Sequence, residues 1–175
     1  MSERNLEHPV WEVYKLQRTA RLSVKYYSKK LERIEQLNLA MQIVIAASLP
    51  TSAIAGFSYW TTDSGSEFWG YILAFASLLS FLQPFLKLTD KIKRYDSLIT
   101  GYLVLDYDVQ KLIGKIVNAQ KYTTTHQKAF ELALERKKHV GVKEQGISID
   151  EKLREKCTEE VKLELPAENF FIPKD

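Results

Sequence analysis

A chain of 175 residues with a formal net charge of +3 leaves, after roughly 50 residues in two uncharged apolar stretches, about 125 for water-exposed structure. That is enough for a small helical domain and short of a typical enzyme core. A single cysteine excludes an intrachain disulfide and a cysteine-only metal cluster, and His8, His126 and His139 lack ligand spacing. No Gly-rich phosphate loop, HExxH or GxSxG pattern occurs, so no catalytic residue, metal or cofactor is expected and the chain is read as a non-enzyme.

The first element is a helix. Pro9 suits a first helical turn, and the cytoplasmic N-terminal helix is expected over 1–36. Its apolar seam is Val13, Ala20, Tyr27 and Ile34 at one heptad position and Val24 and Leu31 at the other, with Gln17 and Asn38 as polar members. Another face carries Tyr14, Arg18, Arg21, Lys25 and Lys29 at helical spacing. A ring interleaved with cations suits a nucleotide phosphate or a single-stranded oligonucleotide. Attraction to anionic lipid headgroups explains the membrane-near Lys29, Lys30 and Arg33 without any ligand, and explains Arg18 and Arg21, about three to four turns below the membrane, less well. Tyr14, Arg18, Arg21 and Lys25 are therefore the candidate ligand-binding residues.

The apolar stretch Gln36 to Thr62 could reach about 40 Å as a helix, against a hydrocarbon core of about 30 Å. A transmembrane helix is expected over 37–60, on too long a charged preamble for a cleaved signal peptide. Ser48, Ser52 and Gly56 repeat every four residues, a stripe of small side chains for close helix packing. Pro50 lacks a backbone donor and is a candidate hinge.

An external turn over 61–67, centred on Asp63-Ser64-Gly65-Ser66-Glu67, separates this span from a second over 68–86. Tyr59, Trp60, Phe68, Trp69 and Tyr71 gather at the hairpin tip, where aromatic rings seat at the lipid–water boundary. Ser77, Ser80 and Gln83 form a narrow polar strip on the second span, open to two readings: pore lining and interhelical hydrogen bonding. No ionisable residue lies inside either span, which argues against proton coupling or voltage sensing. Cations from Lys15 to Arg33 precede the first span and Lys87, Lys91, Lys93 and Arg94 follow the second, while the tip carries only Asp63 and Glu67. Both termini are thus expected in the cytoplasm.

A cytoplasmic helical region over 87–140 continues with a matching seam: Ile92, Ile99 and Ile113, with Tyr95, Tyr102, Val109 and Ile116, and Asp106 as its polar member. Two such helices can zip together antiparallel beneath the bilayer. Gln17 and Asp106 then meet at one depth and set the register, unless Leu105 turns into the seam and leaves Asp106 in solvent. Thr124 with Gln127 has capping-box spacing for a third helix ending near Gly141, and Ser148 with Glu151 repeats it for a short helix to about Leu163. The region 141–175 thus holds a short helix and a tail whose Phe170, Phe171 and Ile172 are too apolar to remain in water, so it should dock on a neighbour.

The basic N-terminal helix with Trp11 and Tyr14, the two-span hairpin, and the passage Leu78-Leu79-Ser80-Phe81-Leu82-Gln83-Pro84-Phe85-Leu86 leading into Asp90-Lys91-Ile92-Lys93-Arg94-Tyr95 together resemble the SLATT family. These are two-transmembrane effectors associated with SMODS nucleotidyltransferases and SLOG domains in bacterial conflict systems. The likeness covers about residues 9 to 120 and rests on pattern; the last 55 residues lie outside it. It implies an oligomeric pore in the bacterial inner membrane, controlled by a nucleotide second messenger or an oligonucleotide made by a partner nucleotidyltransferase, that depolarises the infected cell. Two spans cannot enclose a water path, so any channel must be a homo-oligomer, with a tetramer favoured. The expected fold class is all-α, a two-span transmembrane helical hairpin extended into a cytoplasmic antiparallel helical bundle. The alternative function is a membrane-anchored coiled-coil scaffold that recruits a cytosolic partner.

Overall fold

The computed structural model describes residues 7–48 and 63–173. The fold is all-α. Its helices are α1 (Val10–Ser48), α2 (Asp63–Leu86), α3 (Leu88–Ala119), α4 (Thr124–Val142) and α5 (Glu151–Glu164), followed by a 3-10 turn at Ala167–Asn169. No strand occurs among the described residues. They divide into two units, one built from residues up to 30 and from 94 onward, the other from 31–93.

In the first unit α1 and α3 supply most of the core. His8 packs edge-on against Tyr122, Arg21 meets Asp106, and Tyr27 stacks near Tyr102 and Tyr95. Partner numbers fall along α3 as they rise along α1, so the two helices run antiparallel. Of the positions the heptad pattern assigns to the α1 seam, Val13, Gln17, Ala20 and Tyr27 are buried and Val24, Leu31, Ile34 and Asn38 are half-buried, while Val10, Tyr14, Leu16 and Tyr26 are buried outside the pattern. On α3 the expected Tyr102, Val109 and Ile116 are buried, but their companions are Leu98, Leu105 and Leu112 rather than Ile99 and Ile113. The seam is rotated by one residue. Each such buried aliphatic side chain contributes about 1.5–3 kcal/mol before ordering costs.

Helix ends follow local chemistry. His8 starts α1, its Nδ1 accepting from the Val10 N–H at 3.1 Å. Gln120, with φ 55, ends α3 in the left-handed region. The cap of α4 is Thr123, not Thr124, and His126 Nδ1 fills the returning role expected of Gln127 by accepting from the Thr123 N–H at 3.2 Å. Gln127 instead accepts from the Tyr122 hydroxyl at 2.9 Å. Likewise α5 is capped by Asp150, whose Oδ1 accepts from the Leu153 N–H at 3.0 Å, and not by Ser148. Close approach of α3 and α4 depends on Gly101: a Cβ there would lie 2.8 Å from Val140 Cγ2.

The second unit holds the end of α1, α2 and the start of α3. Asp63 to Glu67, expected as a turn, lie within α2. At the other end Lys87, with φ 47, separates α2 from α3. Pro84 has already removed one backbone donor from the last turn of α2, so the apolar stretch and the helix that follows it are two elements. Met41, Ala76 and Leu88 are buried, while Tyr71, Phe75, Leu78, Phe81 and Phe85 are exposed along α2. Among the described residues no helix is long and apolar enough to cross a membrane. Pro50, Ser52, Gly56, Tyr59 and Trp60 lie outside the described residues.

Candidate functional site

The basic face of α1 is where the first helix meets the C-terminal segment. Tyr14, Arg18, Arg21, Lys25 and Lys29 recur every three or four residues, so helical geometry aligns them on one side. Each has a partner within the first unit. The Tyr14 hydroxyl donates to the Phe171 carbonyl at 3.2 Å and accepts from the Phe171 N–H at 3.0 Å. Its ring stacks on Phe170 at 4.0 Å between centroids. Burial pushes the Tyr14 phenol above its ordinary pKa. Arg18 donates to the Leu165 carbonyl from Nε at 3.0 Å and from Nη2, and its guanidinium lies over the Phe170 ring at 4.9 Å.

Farther along, Lys25 pairs with Glu164 at 2.6 Å and Glu160 at 3.6 Å, and Lys29 with Glu160 at 2.5 Å. The hydrogen bond from Lys29 holds the Glu160 carboxyl below the usual range, with Lys25 adding to the effect. The hydrogen bond to Glu164 holds Lys25 above its ordinary value. Lys30 donates to the Ser148 carbonyl and covers the Tyr26 ring, whose hydroxyl accepts from the Asp150 N–H at 2.8 Å. On its inner side α5 buries Leu153, Cys157 and Val161, spaced by four. The stripe is therefore a docking surface for the chain's own C-terminal segment. Glu160, Glu164, Leu165 and Phe170, the groups that occupy it, lie more than a hundred residues away in the sequence, where helical spacing gives no signal.

Arg21 points differently. Its Nη2 reaches Asp106 Oδ2 at 2.8 Å, and Gln110 Nε2 donates to the same oxygen at 2.9 Å. Asp106 is only 2% exposed although Leu105 is also buried. Gln17 lies buried in the same core, but the cation that answers Asp106 is Arg21 and the amide is Gln110. The proposed Gln17–Asp106 pair is replaced by this triad. Arg21 Nε and Asp106 Oδ1 stay buried without a hydrogen-bond partner.

Between α1, α3, α4 and α5 lies a cleft of about 290 Å³ whose lining includes Tyr26, Tyr27, Tyr102, Lys137, Glu144 and Arg154. The Tyr27 hydroxyl donates to Glu144 Oε1 at 3.0 Å, and the Tyr102 phenol also hydrogen-bonds Glu144. Burial first, and this carboxylate second, push both phenols far above their ordinary pKa, so they remain neutral donors. The heptad pattern found Tyr27 and Tyr102 as seam residues and gave no sign that they also wall a cleft.

In the second unit Ser77, Ser80 and Gln83 are exposed along α2. Gln83 lines a cleft of about 460 Å³ with Asn38, Pro84, Lys87, Thr89 and Asp90. Ser48 ends α1. Among the described residues no three His, Cys, Asp or Glu side chains gather into a metal-holding group. No family model, curated protein or solved structure matches the chain.

Proposed function

We infer that the chain is a two-span membrane protein of the bacterial inner membrane that assembles as a homo-oligomer and conducts ions under control of a nucleotide-derived signal. It acts by conduction and not by chemistry. The observation that carries this reading is the apolar face of α2: Tyr71, Phe75, Phe81 and Phe85 are each more than half exposed, whereas the first unit buries the apolar seam of α1 and α3. Aromatic side chains in that setting suit lipid far better than water. The uncharged run Gln36 to Thr62, the cation asymmetry and the SLATT-like pattern support the same hairpin. Ser77, Ser80 and Gln83 are then the residues that would wet a path through an oligomer.

Ion flux from liposomes reconstituted with the full chain tests conduction. Expected is a leak that Ser80→Leu with Gln83→Leu suppresses without loss of insertion. Insertion with no flux would replace the pore by a tether, the scaffold reading. Orientation is tested by labelling intact cells with an impermeant thiol reagent. Ser64→Cys should react from outside and Leu163→Cys, 83% exposed in the fold, should not. The native Cys157 is fully buried and its thiol is pushed up by burial, so it serves as an unreactive background.

A further inference from the structure

We propose that the cleft walled by Tyr26, Tyr27 and Tyr102 is a binding site for a mononucleotide-sized anion: a planar ring bearing N–H donors, joined to a phosphate. The proposal rests on the reading of nucleotide control and moves its input away from the α1 stripe. About 290 Å³ lies at the low end of small-ligand pockets, which run to about 300–1,000 Å³. One ring system fits, and a second does not.

Three kinds of group converge there, from four helices and from the turn after α4 that carries Glu144. The tyrosine rings are already fixed: Tyr26 and Tyr27 meet edge to face at 5.1 Å, Tyr27 and Tyr102 lie nearly parallel at 6.3 Å, and with Lys30 over one face of Tyr26 and Tyr95 beside Tyr27 the wall offers ring edges and the remaining faces. Stacking on such rings is favourable for any base and costs no reordering of the wall. Glu144 is held by the phenols of Tyr27 and Tyr102, yet a carboxylate has about four acceptor positions. It can still accept from the amino or imino N–H of a base.

The third group is the pair of cations. Lys137 comes from α4 and Arg154 from α5, and neither forms an ion pair among the described residues. Elsewhere in this unit Arg21 answers Asp106, Lys25 and Lys29 answer Glu160, and Arg136 pairs with Asp108. Two uncommitted cations beside an aromatic cleft that contains one carboxylate give the charge arrangement for a phosphate joined to an N–H-bearing ring.

Calorimetric titration of the full chain in detergent with AMP and GMP tests the site, with adenosine and inorganic phosphate as the two halves. Expected is that at least one nucleotide binds about tenfold or more tightly than either half. Lys137→Ala and Arg154→Ala should each weaken nucleotide binding about tenfold while changing adenosine binding less than about twofold. Glu144→Gln should weaken adenosine as well. Both cations lie outside the core, so these variants should keep the helical circular dichroism of the parent. Absence of saturable nucleotide binding, or affinity unchanged in the Lys137 and Arg154 variants, overturns the site. Binding is read without flux, so the two readings fail separately. Flux without nucleotide binding removes this site alone, whereas binding by a chain that does not conduct supports the site and removes the pore.

Discussion

Arg21→Met is expected to be among the most damaging single changes in the first unit, because it strands the Asp106 carboxylate. That carboxylate is 3% exposed at the side chain and keeps only Gln110 once the guanidinium, 2.8 Å away, is gone. Breaking a buried pair from one side costs about 3–5 kcal/mol. Arg21 is itself 32% exposed at the side chain, so water can reach part of the vacated space, and the low end, about 3 kcal/mol, applies here. For a helical unit of this size that lowers Tm by about 10 °C. Asp106→Leu should cost less, since the freed guanidinium can turn toward solvent.

The double variant Arg21→Met with Asp106→Leu should recover most of the loss or exceed the parent, because apolar replacement of a buried pair is neutral or stabilising by about 1–4 kcal/mol. The unpartnered Arg21 Nε and Asp106 Oδ1 argue for the stabilising side. Thermal unfolding of the full chain in detergent, with hydrogen exchange of the α3 amides to localise the change, measures all four corners of the cycle. A loss below about 1 kcal/mol for Arg21→Met, or additive single effects, would refute the claim that these side chains form one coupled pair.

Two glycines of α3 should respond oppositely to alanine. Gly114→Ala meets nothing within 4 Å and should stabilise by about 1 kcal/mol, whereas Gly101→Ala drives a Cβ into Val140 and should destabilise by about 1–2 kcal/mol, with Val140→Ala restoring the loss; thermal unfolding reads both. Docking of α5 should be flat with pH between 4.5 and 9.0, the ordinary values of the Glu160 carboxyl and the Cys157 thiol, because burial raises that thiol and its contribution is lost as pH rises above 9.0 through its folded value. The lowered Glu160 contributes fully above 4.5 and loses its contribution as pH falls through its folded value, while the raised Lys25 contributes fully below 10.5 and loses its contribution as pH rises through its own. Trp11 fluorescence in a Trp60→Phe, Trp69→Phe background follows this through the neighbouring Phe170 ring, 5.9 Å away, and a transition inside the window would contradict the assignment. At the break between α2 and α3, Lys87→Asn should be neutral and Lys87→Val should cost about 1–2 kcal/mol, because β-branched residues tolerate positive φ poorly; equal melting of the two would deny the left-handed conformation.

The α1 seam was readable in part: Thr19 and Arg21 flank Ala20 and leave it one face, whereas Tyr14 beside Val13 and Tyr26 beside Tyr27 are buried as well, which heptad counting did not give. On α3 the pairs Leu98–Ile99, Leu112–Ile113 and Val104–Leu105 are apolar at adjacent positions, so heptad counting has no basis for choosing between them. Two long-range demands make the choice: Asp106 must reach Arg21, and α4 must approach α3 at Gly101. The caps show the same limit. Ser148 and Asp150 are equivalent on local chemistry, and selection comes from α1, where Lys30 takes the Ser148 carbonyl and the Tyr26 hydroxyl takes the Asp150 N–H. The basic stripe was legible as a pattern. Its acidic occupant, more than a hundred residues away, was not.

That occupant also bears on where a signal can enter. An anion binding to the α1 stripe would have to displace α5 and the tail, exposing Leu153, Val161 and Phe170, which are buried or nearly so. At about 1.5–3 kcal/mol for each large apolar side chain, the exposure costs roughly 5–9 kcal/mol before any ion pair is counted. Every 1.4 kcal/mol is a tenfold loss of affinity, so such a ligand would start with a handicap of about 10³-fold or more. The Tyr26–Tyr27–Tyr102 cleft requires no such displacement, since its rings are already held by Asp150 and Glu144. Arg154 and Asp150 belong to the same α5 segment, one offering a cation to the cleft and the other fixing Tyr26. An anion drawn to Arg154 would therefore add to the hold on α5 rather than compete with it, and by linkage a docked α5 would bind that anion more tightly.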